Sequence, residues 1–281
     1  GEIVTDAKLD QVNNTTNVTV FSGTFSENGL VSLFGRANYT LDEKYLFGLS
    51  FRRDGASVFG PRNRYGFFPG ASLAWVASRE GFLADNGTIS QLKFRTSLGR
   101  TGNQAIGNYP YQSTFCTANY GDEAGYYPCR LGNPELSWEK TTQVDLGFDL
   151  ELWNGRAGLS FDWYHKKTTD LLLSRPVPGS TGFTFFTDNI GGITNKGVEL
   201  LLTLVPVQPS RADGFRAVTT LNLSFNRNEV TELYGNQPFS TGYYDFNRVA
   251  VGHELGEFHA YKFLGVDPAT GDAMYEDRNN D

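Results

Sequence analysis

Asp145, Asp149 and Glu151 recur on alternate positions of one segment, interleaved with Val144, Leu146, Phe148, Leu150 and Leu152. Successive side chains of an extended chain point to opposite faces, so the acids share one face and the apolar residues the other. A row of carboxylates could line a path for a cation or a polar substrate, although a merely solvated face accounts for it as well. A second acidic group, Asp277-x-Asn279-x-Asp281, has the spacing of the first ligands of a calcium loop but lacks the glycine and distal glutamate that complete one within the chain. These three are weak calcium candidates, and no metal site is expected. His165, His253 and His259 are scattered, with no Ser or Cys nucleophile in a matching context, so a hydrolytic triad is not supported. No phosphate-cradling glycine loop occurs either. Neither catalysis nor a cofactor is expected.

The remaining groups with chemistry fall in connecting segments. Tyr109, Tyr111, Tyr126 and Tyr127 lie between Arg100 and Leu136. Tyrosine offers an apolar ring with a polar tip, so these are the candidate substrate contacts; the alternative is that they pack the loop against itself. Phe183, Phe185 and Phe186 could serve a partner or anchor their own loop. Cys116 and Cys129 are the chain's two cysteines and share the segment of the four tyrosines. Facing an oxidising exterior they can form a disulfide, contributing ~3 kcal/mol in the chain-entropy model; otherwise they are two loop thiols. No His or further Cys sits beside them at ligand spacing.

The elements that must carry these groups are strands. Alternation recurs over Val31–Leu41, Tyr45–Arg52, Phe67–Val76, Leu92–Leu98, Thr142–Leu152, Leu159–Trp163, Val198–Leu204 and Leu221–Asn226. One face of each is apolar, and the other carries Arg36, Arg52, Lys93, Arg95, Asp145, Asp162 or Glu199, charges of both signs that require water. The connections alternate in length. The chain turns through Asp42-Glu43 and through Asn154-Gly155, the latter pair best suited to a tight hairpin because both of its residues tolerate positive φ. Between these come long segments, Arg53–Gly66, Arg100–Leu136, Lys166–Lys196 and Asn228 to Leu255, with Val76–Ser90 and Pro206–Gly214 on the short side. Short turns on one side and long loops on the other describe an outer-membrane barrel. The expected fold is all-β: an antiparallel transmembrane β-barrel segment of about eight or nine strands. Ala77–Leu83 is the one stretch suited to a turn of helix, and Trp75, Trp138, Trp153 and Trp163 are expected near strand ends, as an interfacial girdle requires.

Composition narrows the class further. The chain carries 24 basic and 31 acidic residues for a net charge of −7, and no basic stripe interleaved with aromatics, which excludes a nucleic-acid partner. At 39% hydrophobic residues, with no apolar run near the ~18 residues of a spanning helix, a helical membrane protein is excluded as well. The start at Gly1-Glu2-Ile3 shows no export signal and the finish at Asp281 falls in a loop, so residues 1–281 are read as one partial barrel domain, its signal peptide, plug domain and C-terminal strands absent, whose sheet is open if isolated. The competing class is a secreted β-sandwich carbohydrate-binding module, which would bury its apolar face against a second sheet. On the barrel reading, Arg at Leu146 is costly and Arg at the neighbouring Gly147, on the wet face, far less so.

A series of motifs resembles the barrel of SusC-like (SusC/RagA type) TonB-dependent outer-membrane transporters. It includes Phe34-Gly35-Arg36-Ala37-Asn38-Tyr39, Phe51-Arg52-Arg53-Asp54-Gly55-Ala56-Ser57, Thr101-Gly102-Asn103-Gln104, Asn133-Pro134-Glu135-Leu136, Asn195-Lys196-Gly197-Val198-Glu199-Leu200 and Gly265-Val266-Asp267-Pro268, in order along nearly the whole chain from Leu33. The resemblance implies a segment of a plugged barrel of roughly 22 strands in the outer membrane of a Gram-negative bacterium, surrounded by outer-membrane lipid. It further implies import of oligosaccharides or oligopeptides captured with a SusD-like surface lipoprotein and driven by TonB, ExbB and ExbD. No plug or TonB box is found in this chain.

Overall fold

A computed structural model describes residues 26–84, 86–120, 123–207, 214–241 and 246–276. The strands are β1 (Leu30–Leu41), β2 (Tyr45–Ala56), β3 (Tyr65–Val76), β4 (Ile89–Asn103), β5 (Thr114–Tyr120), β6 (Glu123–Arg130), β7 (Glu139–Leu152) and β8 (Ala157–Thr169). They continue with β9 (Leu172–Pro176), β10 (Phe185–Asn189), β11 (Gly192–Val207) and β12 (Ala217–Glu232), then the short β13 (Phe239–Thr241), β14 (Asn247–Val249), β15 (Glu257–Phe258), β16 (Phe263–Val266) and β17 (Ala273–Tyr275). Eight of them form one sheet in the order β1-β2-β3-β4-β7-β8-β11-β12, and the rest form small sheets in the long connections and after β12. The segments that alternate in the sequence are the eight of the large sheet.

Register turns the alternation of single strands into two continuous faces. Residues directly opposite in an antiparallel ladder share a face. One row runs Phe47↔Leu73↔Thr96↔Leu146↔Trp163↔Val198↔Phe225 across six strand pairs, each antiparallel. The next in line is Phe94↔Phe148↔Phe161↔Leu200↔Leu223, whose first three rings pack with centroids 6.3 and 5.6 Å apart. No second sheet covers this face among the described residues: Leu146 is 48% exposed and Phe225 67%. The β-sandwich reading is therefore overturned, because a sandwich would have buried these side chains. The sheet does not close on itself, and β1 and β12 are its edges among the described residues.

The tight turns are built on left-handed backbone, which Asp42, Asn154 and Gly155 adopt more readily than Glu43 and Trp153. Asp42 and Glu43 have φ of 50° and 55°, and Lys44 N–H donates to Leu41 O at 3.0 Å. Trp153, Asn154 and Gly155, at φ 52°, 54° and 80°, reverse the chain between β7 and β8. Of the Ala77–Leu83 stretch only Ala77–Arg79 is helical, as a single 3-10 turn. Beside it Glu80 ties the short side together, accepting from Lys44 Nζ at 2.9 Å, Tyr45 OH at 2.7 Å and Trp75 Nε1 at 3.2 Å. These bonds, the Lys44 one foremost, hold the Glu80 carboxyl at about 2, well below the usual carboxylate range. A depressed folded-state value means the contribution is complete above the ordinary value of ~4.3 and fades as pH falls towards the folded one. Proteolysis of the 76–90 turn in the full-length protein is thus expected to stay flat from neutral pH down to pH ~4 and to rise below it. Glu80→Gln should raise it at neutral pH; an identical profile in variant and parent would contradict the assignment.

Several strands outrun the segments legible in the sequence. β4 continues to Asn103, β8 to Thr169 and β12 to Glu232, and β11 begins at Gly192, positions assigned above to long loops. The ladder persists through polar residues at the ends of β4 and β8, and on β11 and β12 through the Ile193↔Val230 pair, which packs with Leu233 and Val249 instead of facing lipid; the alternation that marks a lipid-facing strand therefore stops before the strand does. Trp163 consequently sits mid-strand in β8 rather than near its end. It nevertheless marks the end of the apolar run, since His165 and Lys167 follow on its face. Beyond Gly70↔Gly99 the β3–β4 register ends although both strands continue. Phe68, Phe59, Leu136 and Trp138 form a buried cluster there, with Trp138 5.3 Å from both Phe rings and its Nε1 donating to Arg64 O at 3.0 Å. Gly102 makes room for it, because a Cβ there would run into the Phe68 ring. This cluster seats the long connections on the sheet.

Candidate functional site

The polar face of the sheet carries an organised strip. Arg95, on β4, donates Nε and Nη2 to the two carboxylate oxygens of Asp149 on β7 at 3.0 and 3.1 Å. Its Nη1 and Nη2 reach Asp162 on β8 at 2.5 and 2.9 Å, and Nη2 also reaches Ser160 Oγ at 3.0 Å. Ser160 in turn donates to Asp149 at 2.7 Å. One guanidinium thus spans β4, β7 and β8. Asp145, next on the same face, accepts from Ser97 Oγ at 2.9 Å and Gln143 Nε2 at 2.6 Å. A depression of about 400 Å³ opens beside it, lined by Arg36, Asn38, Ser72, Arg95, Ser97 and Asp145. A second of about 340 Å³, lined in part by Ser50, Ser97, Thr101 and Gln143, continues it.

Carboxylates whose oxygens are already taken up in this way do not present open ligands, so the strip acts as a wetted wall of mixed charge. Such a wall offers hydrogen bonds of both polarities to a polar solute passing over it. Of the acids on β7, Asp145 is bonded to Ser97 and Gln143, and Asp149 is tied into the Arg95 network. Arg95, Asp162 and Ser160 complete it, and their roles were not assigned from sequence. Their alternation placed them on the wet face; only the register brings Lys93, Arg95 and Ser97 opposite Asp149, Gly147 and Asp145.

The loop residues divide differently. Tyr109 and Tyr111 pack edge to face at 6.4 Å, and the Tyr111 ring lies against Gly60. Tyr126 and Tyr127 are consecutive on β6, which sends them to opposite faces, at 78% and 47% exposure. The four candidates are therefore not one aromatic platform. Phe186 lies under the Arg175 guanidinium at 4.9 Å, while Phe185 is exposed. Cys116 and Cys129 are joined across the β5–β6 hairpin, with Cα atoms 5.6 Å apart. Asp277, Asn279 and Asp281 lie outside the described residues, among which no cluster of metal-ligating side chains occurs.

Two long connections are stitched together by Asn189 and by Asn133, the latter the first residue of a motif quoted above. The Asn189 amide accepts from Ser137 N at 2.7 Å and donates to Ser137 O and Asp170 O, each at 2.9 Å. Asn133 Nδ2 donates to Thr187 O and Asp188 Oδ1, both at 3.0 Å. The β5–β6 hairpin stands apart from these bonds. Reducing the disulfide in the full-length protein is expected to raise hydrogen exchange in residues 114–130 and leave β7 and β8 protected. Loss of protection throughout the sheet would contradict that locality.

The sequence and the fold both have relatives. The profile of the family described as "TonB dependent receptor-like, beta-barrel" matches residues 4–279. A TonB-dependent receptor of Formosa agariphila is 40% identical over 241 residues, covering 84% of this chain and 22% of the relative. The TonB-dependent receptor SusC of Bacteroides thetaiotaomicron is 38% identical over 221 residues, covering 75% of this chain and 22% of its own length. The solved structure of the RagAB peptide transporter superposes with a TM-score of 0.83 at 28% identity, covering 96% of this chain and 30% of that one. The chain thus spans between a fifth and a third of these proteins' lengths.

Proposed function

This chain belongs to the TonB-dependent receptor β-barrel family, and from that membership we propose that it serves energised import of oligosaccharide or oligopeptide across a bacterial outer membrane. In this reading the substrate is captured with a SusD-like surface lipoprotein, and TonB, ExbB and ExbD supply the work. The observation that carries the proposal is the division of one sheet into an uncovered apolar face and a charge-paired polar one: Leu146 stands 48% exposed on the first, while Arg95 spans Asp149 and Asp162 on the second. A wall of that kind separates lipid from a water-filled interior. Its function is passage rather than bond-breaking chemistry.

The test is uptake by cells carrying the full-length protein, using labelled oligosaccharides and labelled oligopeptides in parallel. Import of one class, abolished by deleting the gene and by removing TonB, is expected. Uptake that persists without TonB would make the protein a passive porin instead. Loss of uptake on deleting a neighbouring SusD-like lipoprotein would identify the partner.

A further inference from the structure

On the apolar face, the row next to Trp163, Val198 and Phe225 reads His165↔Lys196↔Arg227 across β8, β11 and β12. Cross-strand neighbours of this kind hold their Cβ atoms ~4.5–5.5 Å apart, and like charges placed so are destabilising. Lys196 and Arg227 are exposed, and neither side chain has an ion-pair or hydrogen-bond partner among the described residues. Farther out on the same face follow Lys167 and Thr194, and Glu229 is the acidic neighbour, opposite Thr194. A depression of about 270 Å³ joins the two cations to the apolar row, lined by Trp163, Val198 and Phe225 together with Lys196 and Arg227. It lies where the apolar run ends, towards the connection between β8 and β11, a long one.

We propose that this groove binds a phosphorylated lipid of the outer leaflet, with acyl chain against Trp163, Val198 and Phe225 and phosphate between Lys196 and Arg227. The inference rests on the barrel reading, which makes this face lipid-exposed. Two unpaired cations side by side at the edge of an apolar band are balanced by an anion in the headgroup layer, and Arg and Lys both bind phosphate. The apolar half of the groove would gain nothing from a free phosphate. Charge and greasiness together select an anionic amphiphile.

The experiment uses the full-length protein in mild detergent, with bisphosphorylated lipid A, its dephosphorylated form and inorganic phosphate as probes, read by native mass spectrometry. The parent is expected to bind the bisphosphorylated lipid at least ten-fold more tightly than the dephosphorylated one, and phosphate alone not measurably. Lys196→Gln with Arg227→Gln should abolish that preference while weak binding of the dephosphorylated lipid and heat-modifiable gel mobility stay unchanged. Lys196→Arg, which keeps the charge, should retain the preference and supplies the test if the double variant fails to fold. Undiminished preference in the double variant would overturn the proposal, as would inorganic phosphate competing at equal concentration. Lipid binding unchanged with loss of a co-purifying lipoprotein would assign the row to a protein partner and overturn it too. A missing preference in the parent fails this inference alone, whereas loss of TonB-dependent uptake is read separately.

Discussion

Replacing Leu146 with arginine in the full-length protein is expected to lower its unfolding free energy by about 2–4 kcal/mol, the usual cost of a cation on the lipid face near mid-bilayer. Leu146 projects between Thr96 and Trp163 from an uncovered apolar face, so nothing nearby can accept the charge. Gly147 was expected to be a cheap comparison, and there the structure corrects the sequence. It does lie on the polar face, but a Cβ added to it would meet Asp162 Oδ1 at 2.6 Å, Phe161 O at 2.8 Å and Arg95 Cζ at 3.1 Å. The glycine is the floor on which the Arg95 pairs rest. Even Gly147→Ala is expected to cost about 1–3 kcal/mol by overpacking. Gly99, on the same face with nothing within 4 Å of its added Cβ, is the control, and Gly99→Ala should be near neutral. Urea midpoints of the reconstituted protein decide the matter: equal effects at Gly147 and Gly99 would remove the packing argument, and a neutral Leu146→Arg would remove the lipid-facing one.

Removing the guanidinium that organises the strip is expected to have the next largest effect. Arg95→Ala leaves Asp149 and Asp162 without the cation they share, and hydrogen bonds to charged groups are worth about 1.5–3 kcal/mol where sheltered. Each partner keeps about a third of its side-chain surface exposed, Asp149 30% and Asp162 31%, so water returns part of the loss and the lower end of that range is expected. Arg95→Lys keeps the charge but cannot bridge both carboxylates with a planar fork, and should recover less than half. Adding Asp149→Asn and Asp162→Asn to Arg95→Ala should restore stability by removing the uncompensated acids. If Arg95→Ala unfolds at the parent's urea midpoint, the strip is solvated surface with no structural role.

What the sequence made legible follows from what the membrane demands. A lipid-facing strand must alternate, so Val144, Leu146, Phe148 and Leu150 disclosed β7, and the same logic found the other seven strands of the large sheet. The outer ends of the strands carry no such demand: Thr101, Gly102 and Asn103 continue β4 with nothing apolar to show it. The hairpins of β5–β6 and β9–β10 were hidden for the same reason, being short ladders with no buried face. Asp145 and Asp149 were visible as acids on the wet side, yet whether they were open ligands depended on Ser97 and Arg95, 48 and 54 residues away in sequence, which only register supplies. The tyrosines show the converse. Spacing named them as candidate contacts but could not arrange them: the hairpin sends Tyr126 and Tyr127 to opposite faces.

The most direct measurement is a nitroxide scan along residues 143–151 of the full-length protein in lipid bilayers, reading accessibility to oxygen, which partitions into lipid, and to a water-soluble nickel complex. Labels replacing Val144, Leu146, Phe148 and Leu150 are expected to favour oxygen, and those replacing Gln143, Asp145, Asp149 and Glu151 to favour nickel, with a strict period of two. Uniform nickel accessibility, or protection of both sets from both reagents as in a sheet packed on both sides, would contradict a wall between lipid and water.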